Sequence, residues 1–296
     1  VNFFKLFPTV DYDINRTGTV QRMVDIFRSV RPLQSYVDNP SLYTFYEIKN
    51  GERPDVVSQR LYGTSQFYWT FFIINDFLHD GMRAWPMSQE TLFDYLKQEY
   101  NGFAITTQPE IVTNTDGQII EFKNSIVGKF TLDEKIRGGT SNALGTFVKR
   151  DLDLNQIVIQ DVTGTFQGDG AENNNNYEFL VGQTSGDSVQ TYKVYPYAEA
   201  PHHYYKLNDK KERPVSNLTF IETADVGTII TNTNESGQSF TEELFAESIP
   251  TPAGSLGYKS NRQYINELNE SRSKIRVLNS KYISKFVDEF ERLINV

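Results

Sequence analysis

Three histidines, two of them adjacent, and no cysteine make up the whole stock of imidazole and thiol ligands in this 296-residue chain. His202-His203 could hold a metal from neighbouring loop positions. No carboxylate follows at zinc-site spacing, so a surface loop is the expected setting. His79 lies in His79-Asp80-Gly81, which reads as a turn. Without cysteine there is no thiol catalysis, disulfide or thiolate zinc site. Gly138-Gly139-Thr140-Ser141 is glycine-rich in the manner of phosphate-binding loops. It sits among short alternating apolar runs, with no Lys-Ser/Thr after it and no helix to aim at a phosphate. The pair Glu242-Glu243 has no recognisable cleft around it, so it supports no acid–base role. No Gly-x-Ser-x-Gly elbow, Walker loop or dinucleotide fingerprint appears in a suitable setting. The aspartates form no Asp-x-Asp-x-Asp-Gly calcium loop and read as solvated turns. The expectation is a protein that is not an enzyme and needs neither metal nor cofactor.

The elements around these residues point to contact surfaces instead. The 29 basic and 38 acidic residues leave a net charge of −9, a poor match to a phosphate backbone. Nucleic acid is not an expected partner. No run of about 18 apolar residues is present, so no membrane-spanning helix is expected. The opening VNFFKLFPTVDYDI lacks the apolar core of a signal peptide. The missing cysteine fits assembly in a reducing cytoplasm. Tyrosine and phenylalanine are abundant, at 17 and 21, and are the natural anchors of cores and interfaces.

Five segments follow, and the fold class is α+β. Residues 1–41 read as an extended arm with one helix, Thr19 capping a stripe of Val20, Met23, Val24 and Phe27. Residues 42–101 read as a compact unit. It has a strand at Thr44–Ile48, an Asn50-Gly51 turn, and a helix opened by Pro54 and closed by Gly63. A second helix follows with Tyr68, Phe71 and Phe72, then a short strand at Trp85–Met87 and a helix capped by Ser88. Residues 102–195 read as an all-β insert, a small barrel or sandwich, with strands at 103–107, 118–122, 145–149, 157–161, 178–182 and 190–194. Within it, KFTLDEKIRGGTSNALGTFV resembles TFQGDG…NYEFLVGQTSGDSVQTYKV, as two copies of one hairpin unit would. Asn173–Asn176 reads as a loop tip. Residues 196–257 read as an extended connector with a hairpin of Leu218–Ile221 and Thr228–Thr231. Residues 258–296 read as one long helix, opened by a Ser260/Gln263 capping box and about 50 Å long. Its middle, Arg272 to Lys285, carries five basic residues and no acidic one.

The order of strand, helix, helix and short strand, with Gly51-Glu52 before the first helix, Tyr62-Gly63 between the two and Asn75 closing the second, resembles the LysM fold. The finer pattern is Arg53-Pro54, Leu61-Tyr62-Gly63, Tyr68-Trp69, Asn75-Asp76 and Trp85 followed by Ser88-Gln89-Glu90. Together with Asp25-Ile26-Phe27-Arg28 and the stretch from Asn266-Glu267 to Leu293, it resembles the baseplate wedge protein 53 family of T-even-like contractile-tailed phages. The likeness covers about residues 1–100 and 258–296. The β insert departs from the shorter family pattern and suggests a marine or cyanophage-type member.

The resemblance implies a virion protein of the inner baseplate with no enzymatic task. It would join adjacent wedges around the central hub, in repeated copies of a six-fold assembly. Its expected partners are other wedge subunits and the sheath-initiator and hub proteins. Candidate contact residues are Phe27, Arg28, Tyr68, Trp69, Phe72, Trp85, Tyr282, Phe286 and Phe290, since aromatics and arginine typically anchor interfaces. Two other readings are a peptidoglycan- or glycan-binding LysM protein and a glycan-binding role for the β insert alone.

Overall fold

Tyr43–Glu47 and Lys274–Leu278, far apart in sequence, pair as antiparallel strands, with Phe45 opposite Arg276. The computed structural model describes residues 3–14, 16–28, 39–107, 110–113, 119–168, 177–215, 231–233, 239–241 and 256–295. In chain order the first elements are β1 (Thr9–Tyr12), β2 (Gln21–Val24), β3 (Tyr43–Glu47), α1 (Pro54–Tyr62), α2 (Trp69–Ile74) and α3 (Gln89–Glu99). Then come β4 (Phe103–Thr106), β5 (Glu110–Thr113), β6 (Ile119–Lys123), β7 (Lys135–Gly138), β8 (Leu144–Asp151) and β9 (Gln156–Thr163). They are followed by β10 (Phe179–Gly182), β11 (Ser188–Gln190), β12 (Lys193–Pro196), β13 (Pro201–Lys206) and β14 (Pro214–Val215). The last are β15 (Thr231–Thr233), β16 (Ser239–Thr241), β17 (Leu256–Ser260), α4 (Asn261–Ser271), β18 (Lys274–Leu278) and α5 (Ile283–Ile294). These form two units, Val1–Phe93 with Asn266–Val296, and Asp94–Ile265.

In the first unit, α1 starts at Pro54, whose missing N–H costs nothing there, and stops at Gly63, which takes a left-handed φ of 73°. Thr64 rather than Ser65 caps the next turn, accepting from the Gln66 N–H. Asn75 ends α2 and is 2% exposed. Its amide donates to the carbonyls of Phe71 at 2.8 Å and Arg276 at 2.9 Å, and its oxygen accepts from Arg276 N–H at 2.8 Å. It thus serves β18 as a neighbouring strand would. Ile48, Val57, Phe71, Leu78, Trp85, Ile275 and Val277 form one core cluster beneath this sheet.

Three expectations for this unit need correction. Met87 lies in no strand; its N–H and C=O are both held by the Asn269 side chain, at 2.7 and 3.1 Å. The partner of β3 is β18 instead. The long C-terminal helix is two helices with a strand between them. The Ser260/Gln263 capping box forms as expected, at 3.0 and 3.2 Å. The helix ends at Ser271, and the hydroxyls of Ser271 and Ser273 turn back to the carbonyls of Leu268 and Glu270. The alternation Lys-Ile-Arg-Val then buries Ile275 and Val277 on one side, a strand pattern that the three-and-four spacing overlay. The arm holds no helix at 20–27. Gln21–Val24 is β2, paired with β1. Val20 and Val24 favour extended backbone, and Asp13 fixes the turn by accepting from Thr17 and Gly18 N–H.

The second unit contains an antiparallel sheet in the order β11-β10-β7-β8-β9-β4-β12. Its two edges are consecutive in sequence. β11 pairs with β10, and after Thr191-Tyr192 β12 pairs with β4. One bent strand therefore rolls the sheet into a small barrel around Ile105, Ile136, Phe147, Ile157, Ile159 and Leu180. Sequence patterning missed β5 and β7 and ran β11 and β12 together. β5 and β6 make a separate two-stranded ladder, and a further three-stranded sheet runs β14-β13-β17. The described hairpin downstream is β15-β16. The expected Leu218–Ile221 and Thr228–Thr231 pair, apart from Thr231, lies outside the described residues, as do Asn173–Asn176 and Glu242-Glu243.

The internal repeat has a structural counterpart. β7 pairs with β8 through Lys135↔Thr146 and Ile136↔Gly145, and β10 with β11 through Phe179↔Gln190 and Leu180↔Val189. Each pair in the second hairpin lies the same distance downstream of its equivalent in the first. β7 and β10 also pair with each other, Ile136↔Gly182 and Gly138↔Leu180, so the copies meet about a local two-fold axis.

Candidate interaction surface

The glycine-rich loop after β7 is an anion cradle, and the protein fills it itself. Glu178 is 1% exposed, and its Oε2 accepts from the N–H groups of Thr140 at 3.1 Å and Ser141 at 2.9 Å. The twin loop after β10 holds Glu134, which accepts from Thr184 at 2.7 Å and Ser185 at 2.6 Å. Each hairpin copy thus sends its carboxylate into the loop of the other. Burial alone would raise the Glu134 pKa, but N–H groups of Ser185, Thr131 and Thr184 and the Ser185 hydroxyl outweigh it and hold it at about 2. These carboxylates are structural ties with no room for a phosphate beside them.

The histidines are equally committed. His79 sits in a turn, its Nδ1 2.8 Å from the Asp76 carbonyl oxygen. His202 and His203 lie on β13 rather than in a loop. The His202 ring stacks on Tyr264 at 3.8 Å, and its Nδ1 is 2.9 Å from Nδ1 of His203. Burial first, and then the neighbouring His203, push the His202 pKa down. Among the described residues, no group of three His, Cys, Asp or Glu is placed to hold a metal. Nor is any helix among them long and apolar enough to cross a membrane.

The candidate contact residues divide by burial. Trp69, Trp85, Phe286 and Phe290 are core residues of the first unit, so their expected role as contact anchors is corrected. On α5, Ile283, Phe286, Val287, Phe290 and Ile294 fall on one helical face. That face closes over α2 and the N-terminal turn, with Phe290 4.9 Å and Phe3 5.2 Å from Trp69. Trp85 stacks near Phe71 and Phe72, and its Nε1 donates to the Glu52 carbonyl at 2.8 Å. Tyr68 and Phe72 are half-buried. Arg28 donates to the carbonyl of Ile294 at 2.8 Å, where a cation complements the last turn of α5. Phe27 and Tyr282 remain exposed, Phe27 at 92%.

Phe27 closes a larger exposed apolar surface that the helix assignment obscured. Every residue of β1 and β2 is exposed. Val10, Tyr12 and Met23 share one face of the hairpin. Thr9 and Val24 lie on the other, beside the Asp11–Arg22 ion pair. Ile14, Val20 and Ile26 are also exposed. The alternation Val10-Asp11-Tyr12-Asp13-Ile14 carried this signal in the sequence.

Comparison with known proteins fits a chain whose buried polar groups are structural and whose apolar residues lie outside. A family model described as "Base plate wedge protein 53" matches residues 2–129. Residues 2–129 belong to the base plate wedge protein 53 family. A curated relative, baseplate wedge protein gp53 of Enterobacteria phage T4, is 31% identical over 105 residues, covering 33% of this chain and 50% of the relative. The chain thus spans about half the length of that relative. Family membership places the protein in the tail base plate of a phage virion. The matched region takes in the β1–β2 hairpin, β3 and the helices α1 to α3, and stops within the barrel unit.

Proposed function

We propose that the chain is a structural subunit of the base plate wedge, clamping adjacent wedges around the central hub. Its partners in this reading are neighbouring wedge subunits and the sheath-initiator and hub proteins, met by repeated copies in a six-fold ring. The observation that carries it is the β1–β2 hairpin. It has exposed apolar residues on both faces, and a two-stranded hairpin is marginal in water without a surface to pack on. In the base plate that surface belongs to a neighbour. The strand–helix–helix–strand order of β3, α1, α2 and β18 supports a LysM-like module as its base, with the barrel unit inserted in sequence before the last strand. A glycan-binding reading is weaker, because Trp69 and Trp85, natural sugar-stacking groups, face inward.

The test is co-assembly of purified chain with wedge proteins. The double variant Val10→Asp, Met23→Asp places two charges on the apolar hairpin face without touching either core cluster. It is expected to fold normally and to lose co-assembly. Normal assembly would remove the hairpin from this role. Saturable binding to purified cell wall would move the case to glycan recognition.

A further inference from the structure

We infer that the open edge of β3 is a strand-addition site for an extended, carboxylate-bearing segment of a different base plate subunit, an inference that rests on the base plate reading above. The ladder between β3 and β18 extends through Ile48 N–H to Ser273 O and Asn279 N–H to Leu42 O, so the even-numbered residues of β3 bond to β18. The N–H and C=O groups of Tyr43, Phe45 and Glu47 therefore point to the opposite edge. Among the described residues no strand pairs there. The equivalent edge of β18 is already closed by the Asn75 amide on Arg276. β3 lacks the lysines and prolines that usually blunt an edge, and Phe45 stands 63% exposed on it.

Charge selects the occupant. Lys274 Nζ lies 5.3 Å from the Phe45 ring centre, and the Arg276 guanidinium 5.4 Å from that of Tyr43. Both cations therefore lean across β3 toward the open edge. Neither has an ion pair among the described residues. A strand added there would satisfy the free backbone groups and bring alternate side chains to these cations. A second copy docking through the same edge would bring two basic faces together, which like-charge repulsion disfavours. The partner is thus another subunit, with acidic residues on alternate positions.

The experiment reads incorporation into purified tails. Charge reversal at Lys274→Glu with Arg276→Glu is expected to reduce it roughly tenfold, the scale of losing close interfacial charge pairs. A matched reversal in the other unit, Lys97→Glu with Lys210→Glu, is expected to leave it unchanged. Phe45→Pro removes an N–H that the β18 ladder does not use, so it keeps the fold and loses incorporation. Thermal melts like the wild type's are expected for these variants. A photo-crosslinker at Phe45 is expected to join an acidic peptide of another virion protein. Normal incorporation of both the charge-reversed and Phe45→Pro chains would overturn the inference, as would crosslinks to a second copy. Wild-type chain missing from the tails would instead sink the base plate reading and the inference with it.

Discussion

Replacing Glu134 by glutamine should loosen the barrel by an amount that can be reached in two ways. Its carboxylate accepts from Thr131, Thr184 and Ser185 N–H at 2.9, 2.7 and 2.6 Å. Glutamine keeps one acceptor oxygen and turns an amide N–H toward a donor. Losing one or two charge-assisted bonds in a buried site costs about 2–4 kcal/mol. The pKa route agrees, since a fall from 4.5 to about 2 corresponds to about 3 kcal/mol. The folded-state pKa is lowered, so this stabilisation is complete above about pH 4.5 and disappears as pH falls toward about 2. Thermal unfolding of the full chain, followed across pH 2 to 7, reads both quantities. For a unit of this size, Glu134→Gln should lower its Tm by about 6–12 °C at neutral pH. The difference from the wild type should shrink toward pH 2, and amide exchange at Thr184 and Ser185 should quicken. A variant with unchanged Tm, or with the same deficit at every pH, would refute the carboxylate tie.

Asn75→Ala strips β18 of its second partner and should cost about 2–4 kcal/mol in denaturant unfolding, through two unpaired backbone groups at Arg276. A methyl group at Gly182 would sit 2.5 Å from Glu134 Oε1 and from Ser185 Oγ, so Gly182→Ala should lose about 1–3 kcal/mol. Phe290→Ala should cost about 3–5 kcal/mol, because it opens the cluster beneath α5. Phe27→Ala should stay within about 0.5 kcal/mol of the wild type, and urea titration of the pair separates core from contact surface.

Local chemistry was legible in the sequence wherever a few neighbouring residues decide the outcome. Pro54 and Gly63 mark the ends of α1, and the Ser260/Gln263 box opens α4, because each acts within one turn. The repeat was visible because both copies keep the same Gly-x-Thr-Ser loop. Its meaning was hidden, since the anion in each loop comes from the other copy. The C-terminal region misled for a related reason. Ile275, Leu278, Tyr282 and Phe286 fit a helical stripe, but a distant strand, β3, decides the conformation of 274–278. The arm failed likewise, its spacing fitting a helix while its extended partner β1 lay nearby. Aromatic type also misjudged exposure. Trp69, Trp85, Phe286 and Phe290 are covered by elements remote in sequence, whereas the smaller residues Val10, Met23 and Val24 are left in water. Cover by distant segments is a property of the fold, and no local pattern encodes it.

Electron microscopy of tails made with and without this chain puts the account to its plainest trial. Particles lacking it should carry incomplete base plates, and supplying the chain in trans should restore them. Complete base plates formed in its absence would contradict the account.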